Sequence, residues 1–262
     1  MPAFIDVNCD MGESFGRYTL GQDEEVMPHI TSANIACGFH AGDPHVMRRS
    51  VELALKHGVA VGAHPGLPDL LGFGRRALDL TPQDLKDYHR YQTGALGAFA
   101  KAAKTELQHV KPHGIQYSMY ERNIELGRAA AEAVLELDPN LILFALAGTN
   151  YEAEARRSGA RVASEGFADR RYAADKQLVS RKIGAHSIIS DPSEAADQAV
   201  RMALESKVRT IDGQMIEVAV QTICIHGDSP DAHQIVRAVK AGLERAGLQV
   251  RPLREWLGRE NQ

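Results

Sequence analysis

Short runs of apolar residues recur along the chain, and each is followed by a polar, glycine-containing turn and then by a longer amphipathic stretch. The apolar runs do not alternate strictly with polar positions, which is typical of strands buried on both faces of a parallel sheet. The pattern predicts strands at residues 4–8, 33–37, 60–63, 107–111, 141–145, 162–165 and 220–225.

The amphipathic stretches between these strands predict helices. Several begin with a capping residue and a proline at the first helical position, where the missing N–H costs nothing. These pairs are Asp43-Pro44, Thr81-Pro82, Asp191-Pro192 and Ser229-Pro230. Strands that alternate with helices pair in parallel through right-handed crossovers, which builds either a closed barrel or a doubly wound sheet.

Polar residues follow nearly every predicted strand, and this distribution favours the barrel. In a barrel all strand ends surround one cavity, whereas a doubly wound sheet concentrates such residues at a single switch point. We therefore predict an α/β fold, with one irregular (β/α)7 TIM-like barrel domain that spans residues 1–262.

Two segments depart from the alternation of strands and helices. Residues 208–220 contain Asp212-Gly213 between two apolar runs, which predicts a β-hairpin with a type I′ turn. Residues 166–190 form a long charged stretch, and structureless loops of that length are usually functional. We predict a binding loop there.

The composition narrows the class of protein. The 262 residues are 44% hydrophobic and 24% charged, as in ordinary soluble proteins, and the formal net charge of −4 argues against nucleic-acid binding. No apolar stretch approaches the roughly 20 residues that a membrane helix needs, and the N-terminus shows no secretory leader. The three cysteines lack CxxC spacing, so we expect reduced, buried thiols in a cytoplasmic protein.

Ionisable side chains follow most of the predicted strands. Four histidines lie at the ends of four different strands: His40, His64, His113 and His226. Five acids occupy similar positions: Asp10, Glu13, Glu165, Asp169 and Asp228. In a barrel these side chains converge on one cavity, where crowding separates their pKa values and prepares them for acid–base chemistry.

Two basic features add to this picture. Lys111 ends a buried strand, a costly position unless the ammonium is paired, and we predict a carboxylate of the site or a substrate anion as its partner. A purely structural salt bridge is the alternative. Residues 72–77 present Arg75 and Arg76 on a glycine-containing loop, and arginine binds carboxylates with a two-pronged fork. The loop formally fits G-x-G-x-x-A, but no strand directly precedes it, so we reject a dinucleotide site.

The same histidines and acids could also bind a metal ion, and the sequence does not decide whether they do. Several imidazoles and a carboxylate match zinc or another divalent ion. However, the sequence has no HExxH motif, and the residues serve equally well without an ion. We therefore assign no metal ligand.

Several of these motifs resemble those of the LamB/YcsF family, to which the A subunit of 5-oxoprolinase belongs. The resemblance covers about residues 4–250 and rests on residues 6–16, 31–44, 61–66, 69–76, 110–114, 165–170 and 225–228. The chain departs from the family pattern in two places. After Gly114 the family usually continues Ala-Leu-Tyr-Asn, where this chain has residues 115–118 as Ile-Gln-Tyr-Ser, and Ser180 stands where proline is expected.

The resemblance implies a seven-stranded, irregular β/α barrel related to glycoside hydrolases and deacetylases. It also implies ATP-dependent opening of 5-oxoproline (pyroglutamate) to glutamate, together with the 5-oxoprolinase subunits B and C as partners. The sequence contains no G-x-x-x-x-G-K-[ST] motif, so we expect the partner subunits to bind ATP.

We expect Asp10 or Glu13, with His64 or His113, to position water and move protons, and Lys111 to stabilise negative charge. The predicted substrate-binding residues are His40, Arg75, Arg76, Glu165, Asp169, Arg170, His226 and Asp228. Two alternatives stay open at this point. One is a metal-dependent amidase or deacetylase that acts alone, and the other is a non-catalytic subunit that binds a ligand or partner.

Overall fold

The computed structural model describes residues 4–227 and 231–258, apart from the side chains of Lys182 and Ala185. The strands in these residues are β1 (Phe4–Met11), β2 (Ser32–Ala36), β3 (Ala60–His64), β4 (Leu107–Val110), β5 (Ile142–Leu146), β6 (Arg161–Phe167), β7 (Lys207–Arg209), β8 (Met215–Glu217), β9 (Thr222–Ile225) and β10 (Gln249–Val250). The α-helices are α1 (Asp23–Val26), α2 (Pro44–Lys56), α3 (Pro82–Ala102), α4 (Gln116–Arg122), α5 (Ile124–Leu137), α6 (Asn150–Arg157), α7 (Pro192–Glu205) and α8 (Ala232–Arg245).

Seven of the strands close into a parallel barrel. Pairing runs in order from β1 through β6 and then to β9. β9 also pairs with β1, from Asp6 opposite Thr222 to Cys9 opposite Ile225, and this contact closes the ring. The predicted (β/α)7 barrel is confirmed. None of the helices in the described residues is both long and apolar enough to cross a membrane.

The helix starts follow the predicted capping chemistry. Asp43 accepts hydrogen bonds from the backbone N–H groups of His45 and Val46, which caps α2. Thr81 and Asp84 form a reciprocal capping box at the start of α3, and Asp191 caps α7. The predicted cap at residues 229–230 lies outside the described residues.

Two local predictions are wrong. β1 continues to Met11, three residues beyond its predicted end, so Asp10 lies on a strand rather than in a turn. The hairpin of β7 and β8 is present, but its turn is not type I′ because Gly213 has a positive φ (84°) and Asp212 does not. Thr210 N–H instead bonds Gln214 O at 2.8 Å, which leaves a three-residue loop of the type that ends in a left-handed glycine.

The long stretch at residues 166–190 is folded onto itself. β6 takes in its first two residues, and isolated bridges join Arg170 to Ile188 and Tyr172 to Leu178. A 3-10 turn follows at Arg181–Ser187. Arg170 fastens this loop, because its guanidinium donates hydrogen bonds to Val179 O (2.7 Å) and Ser187 O (3.4 Å).

The interior of the barrel is polar, and β1 shows how the sequence builds it. Side chains alternate along a strand, so Asp6, Asn8 and Asp10 point to one face while the intervening apolar residues point to the other. Asp6 accepts hydrogen bonds from the hydroxyls of Ser32 (2.6 Å) and Thr31 (2.8 Å) and also from Thr222. The ring of His109 occupies the space beside Gly62, where a Cβ atom would lie 2.0 Å from His109 Nε2.

Asp6 makes the stability of the barrel pH-dependent. Burial raises the pKa of Asp6 from 3.8 to about 6, although the three hydroxyls oppose the shift. Between these values the folded chain holds more protons than the unfolded chain, so the free energy of unfolding falls as pH rises through this window and then stays level. Asparagine does not titrate, so the Asp6→Asn variant lacks this contribution to the pH dependence of the free energy of unfolding. We expect the stability of this variant relative to wild type to improve by about 2 kcal/mol between pH 4 and pH 7, as measured by urea unfolding. A stability difference that does not change with pH would contradict the prediction.

Candidate active site

Most of the predicted catalytic residues meet at the carboxyl-terminal end of the barrel, where parallel barrels place their active sites. Asp10 comes from β1, His64 is the last residue of β3, and Lys111 and His113 follow β4. Glu165 lies on β6. All five side chains are buried.

Lys111 is the centre of this group. Its Nζ lies 2.8 Å from Asp10 Oδ1, 3.1 Å from Glu165 Oε1, 3.2 Å from Asn8 Oδ1 and 2.9 Å from Cys224 Sγ. Lys111 is therefore paired with two carboxylates, a contact that agrees both with the predicted site carboxylate and with the alternative of a structural salt bridge. The Lys111 side chain is 2% exposed, so water contributes almost nothing to the solvation of its ammonium.

The charges of this group are maintained by one another. Burial alone would raise the pKa of Asp10, yet His64 and Lys111 hold it well below its usual value. Burial alone would lower the pKa of Lys111, but Asp10 and Glu165 raise it well above its usual value. The centre therefore keeps a buried ammonium against carboxylates at neutral pH.

His64 and His113 form a short chain of imidazoles next to Asp10. His64 Nδ1 lies 2.8 Å from Lys111 O, and His113 Nε2 lies 2.8 Å from Phe73 O. Both carbonyls require an N–H donor, so the hydrogens of both rings point outward and the facing nitrogens, His64 Nε2 and His113 Nδ1, lie 2.9 Å apart. Asp10 Oδ2 lies 3.4 Å from His64 Nε2.

His40 completes the imidazole cluster. Its ring stacks on that of His113 with centroids 3.7 Å apart, and it is fully buried. Neither of its ring nitrogens makes a hydrogen bond, and Nε2 lies 3.7 Å from Glu13 Oε1. Burial and the neighbouring His64 keep the pKa of His40 well below its usual value, so the ring is neutral.

His226 lies near Asp10 and Cys224 and is held by Asp169. The backbone N–H of His226 donates to Asp169 Oδ2 at 2.9 Å, and Nδ1 lies 3.0 Å from the same oxygen. Asp10, Cys224 and His226 each offer a ligand-type atom within 4.8 Å of the others. The four histidines predicted from the strand ends therefore belong to one site.

Residues 5–258 match the model of the LamB/YcsF family. The chain belongs to this family. It is 52% identical over 255 residues to the 5-oxoprolinase A subunit of Pyrococcus abyssi, and the match covers 97% of this chain and 99% of the relative. The corresponding protein of Thermus thermophilus is 51% identical over 247 residues, or 94% and 98% of the two chains.

A solved structure has the same architecture. The crystal structure of lactam utilization protein from Thermus thermophilus superposes with a TM-score of 0.89 at 49% identity. The match covers 96% of this chain and 99% of the other. The resemblance inferred from the motifs is thereby confirmed over nearly the whole chain.

The two adjacent arginines of the LamB/YcsF loop at residues 69–76 differ in their surroundings. Arg75 is half-buried, lies 4.8 Å from the Phe73 ring centroid, and its charge acts on His40 and His113. Arg76 is paired with Asp69, and its side chain is 65% exposed. The structure therefore brings Arg75 to the imidazole cluster and leaves Arg76 on the rim.

Of the remaining predicted substrate-binding residues, some lie in the site and one is used by the fold. Glu165 and Asp169 are buried in the site beside Lys111 and His226. Arg170 is buried, and the contacts described above commit its guanidinium to backbone carbonyls. Asp228 lies outside the described residues.

Three residues of the site were missed by the sequence reasoning. Cys224, interpreted only as a core residue, contacts Lys111, and burial keeps its pKa well above the usual thiol value. Asn8 accepts from Lys111, and Tyr117 donates a hydrogen bond to Glu165 Oε2. Asn8 could have been predicted from the alternation of polar and apolar residues along β1. Tyr117 could have been predicted from its position in the altered motif after Gly114.

Proposed function

We propose that this chain is the A subunit of a 5-oxoprolinase and hydrolyses the lactam of 5-oxo-L-proline to L-glutamate together with partner subunits. The observation that carries the proposal is the buried Lys111 centre, with carboxylates on two sides and a chain of imidazoles attached. It occurs in a LamB/YcsF chain that is 52% identical to a protein named as the A subunit of 5-oxoprolinase.

The chemistry explains why such a reaction needs ATP. A lactam is a resonance-stabilised amide, which water attacks slowly at neutral pH. Phosphorylation of the lactam oxygen makes the carbonyl carbon a better electrophile. Water can then add to that carbon, and the ring C–N bond breaks when the nitrogen takes up a proton. A second water releases phosphate and leaves glutamate, so the sum consumes one ATP and two waters and yields glutamate, ADP and phosphate.

The residues of the site fit these steps. Asp10 and His64 are placed to orient the attacking water and take its proton, and the His64–His113 pair is placed to return a proton to the ring nitrogen. The Lys111 ammonium stabilises the negative charge that develops on oxygen. Arg75 is the residue that we assign to the substrate carboxylate, since it lies at the imidazole cluster.

In this proposal the partner subunits bind ATP and use it to activate the lactam. The sequence has no phosphate-binding loop of the G-x-x-x-x-G-K-[ST] type, and relatives of this chain are named for one subunit of a larger enzyme. We therefore assign ATP to subunits B and C, and the lactam to this chain. The three free, buried cysteines agree with a complex that works in the cytoplasm.

The test is glutamate release from 5-oxoproline, measured with this chain alone, with the partners alone and with the full complex. We expect ATP-dependent glutamate only from the complete set. Full ATP-dependent activity of the isolated chain would refute the division of labour. ATP-independent amide hydrolysis by the isolated chain would instead favour an amidase that acts alone.

A further inference from the structure

We infer that Glu13, His40, His64 and His113 form a binding site for one divalent transition-metal ion of the Zn²⁺ class. One ligand-type atom from each residue lies within 4.8 Å of the other three. All four residues are buried at the carboxyl-terminal end of the barrel. This inference revises one step of the proposed function, because an ion held by His64 Nε2 and His113 Nδ1 occupies the two nitrogens to which that proposal assigns proton transfer, and Asp10 is then the base of the site. The test of the inference does not depend on that function.

The separations between the ligand atoms are close to those of a tetrahedral site. Four N or O ligands at ~2.0–2.1 Å from Zn²⁺ lie about 3.3 Å from one another. Here His64 Nε2 and His113 Nδ1 are 2.9 Å apart, and Glu13 Oε1 lies 3.7 Å from His40 Nε2 and 3.9 Å from His113 Nδ1. Shifts of a few tenths of an ångström per atom bring these three separations to the tetrahedral value. A bound ion lies in the plane of each ligating ring, so the His40 ring, which stacks on His113 with centroids 3.7 Å apart and planes 4° from parallel, must rotate out of the stack when the ion binds.

Two of the imidazoles already contact backbone carbonyls through the ring nitrogen that points away from the cluster, as ligating histidines do in metal sites. Ligating histidines almost always donate their second N–H to a carbonyl or carboxylate, which fixes the tautomer and the ring orientation. His64 Nδ1 contacts Lys111 O, and His113 Nε2 contacts Phe73 O, each at 2.8 Å. The inner nitrogens of both rings therefore face the proposed ion.

His40 provides an independent observation. A fully buried imidazole without a hydrogen bond is costly, and neither ring nitrogen of His40 has a hydrogen-bond partner. A Cβ atom on Gly66 would lie 2.2 Å from Nδ1, so that side of the ring is packed against backbone. The other nitrogen, Nε2, faces Glu13, and an ion there would satisfy it.

The charges agree with a dication. Burial and the neighbouring imidazoles hold the pKa values of His40 and His113 well below their usual range, which leaves both rings neutral and available as ligands. Binding requires both inner nitrogens, His64 Nε2 and His113 Nδ1, to be free of protons. Glu13 would supply one negative charge, and Asp10 Oδ2, 3.4 Å from His64 Nε2, lies on the ion side of that ring as a second.

The test uses the full-length chain after exhaustive dialysis against a chelator. ZnCl₂ is titrated into the protein by calorimetry, and the absorption spectrum is recorded with CoCl₂, whose tetrahedral and octahedral complexes differ strongly in intensity. We expect one equivalent of Zn²⁺, an intense tetrahedral Co²⁺ spectrum, and binding weakened by more than about tenfold in His40→Gln and Glu13→Gln.

His89→Gln is the matched control. His89 is also a buried histidine, but Nε2 is bonded to Gln116 and Tyr120, each at 2.9 Å, outside the cluster. We expect this variant to bind Zn²⁺ as wild type does. Absence of stoichiometric binding by wild type, or equal binding by the folded His40→Gln variant, would overturn the inference. If His40→Gln does not fold, a weak octahedral Co²⁺ spectrum of the wild type would overturn it.

Activity separates this inference from the proposed function. Full glutamate release by a complex that contains the chelator-treated chain, in a buffer whose only divalent ion is the Mg²⁺ that ATP requires, would end a role for the bound ion in the reaction. The hydrolase proposal would survive that result. Stoichiometric Zn²⁺ binding by a chain whose complete complex releases no glutamate would leave the metal site and refute the proposed function.

Discussion

Replacement of Lys111 with methionine is expected to lower glutamate release by the complex by at least about a hundredfold and to destabilise the chain by about 3–5 kcal/mol. Methionine fills the volume of the aliphatic stem but carries no charge. Asp10 and Glu165 would then remain buried without the cation that now lies 2.8 and 3.1 Å from them. Steady-state kinetics of the complex and urea unfolding of the isolated chain measure the two effects.

A double variant separates the structural part of this effect from the catalytic part. Lys111→Met combined with Glu165→Gln removes one of the two uncompensated carboxylates, so we expect it to regain a substantial fraction of the lost stability. We expect no recovery of turnover, because the ammonium is still missing. Near-wild-type kcat for Lys111→Met would rule out the role assigned to the ammonium.

The barrel was predictable because its strands are buried runs of fixed spacing and its helices begin with strong capping signals. The end of β1 was not predictable, because Cys9-Asp10-Met11 resembles a polar turn in sequence. In the structure Asp10 points inward, and Asn34 Nδ2 and Lys111 Nζ bind its Oδ1 atom. A polar residue on a strand is thus stabilised by partners 24 and 101 positions away, and local pattern contains no information on such contacts.

The convergence of the histidines was predictable from barrel geometry alone, because the ends of all parallel strands meet on one face. Their individual roles were not. Whether Arg75 or Arg76 approaches the cluster depends on a side-chain contact, the pairing of Arg76 with Asp69, that the adjacent positions do not distinguish. The thiol of Cys224 reaches Lys111 only because β9 closes the barrel beside β1.

Asp10→Asn is expected to reduce kcat of the complex by about 10²- to 10⁴-fold while the chain stays folded. The asparagine oxygen can still accept from Lys111 and Asn34, which now bind Asp10 Oδ1 at 2.8 and 2.9 Å. The amide nitrogen would replace Oδ2, which lies 3.4 Å from His64 Nε2. The shape of the site is therefore retained, while the carboxylate next to the imidazole pair is lost.

The control for this variant is Asp191→Asn, which makes the same chemical change at the N-cap of α7. Asparagine caps helices about as well as aspartate, so this variant should keep wild-type turnover. Circular dichroism and urea unfolding of both variants establish that they are folded before kinetics are compared. Turnover close to that of wild type in Asp10→Asn would show that the imidazole pair moves its protons without a neighbouring carboxylate, and Asp10 would then be a structural partner of Lys111 alone.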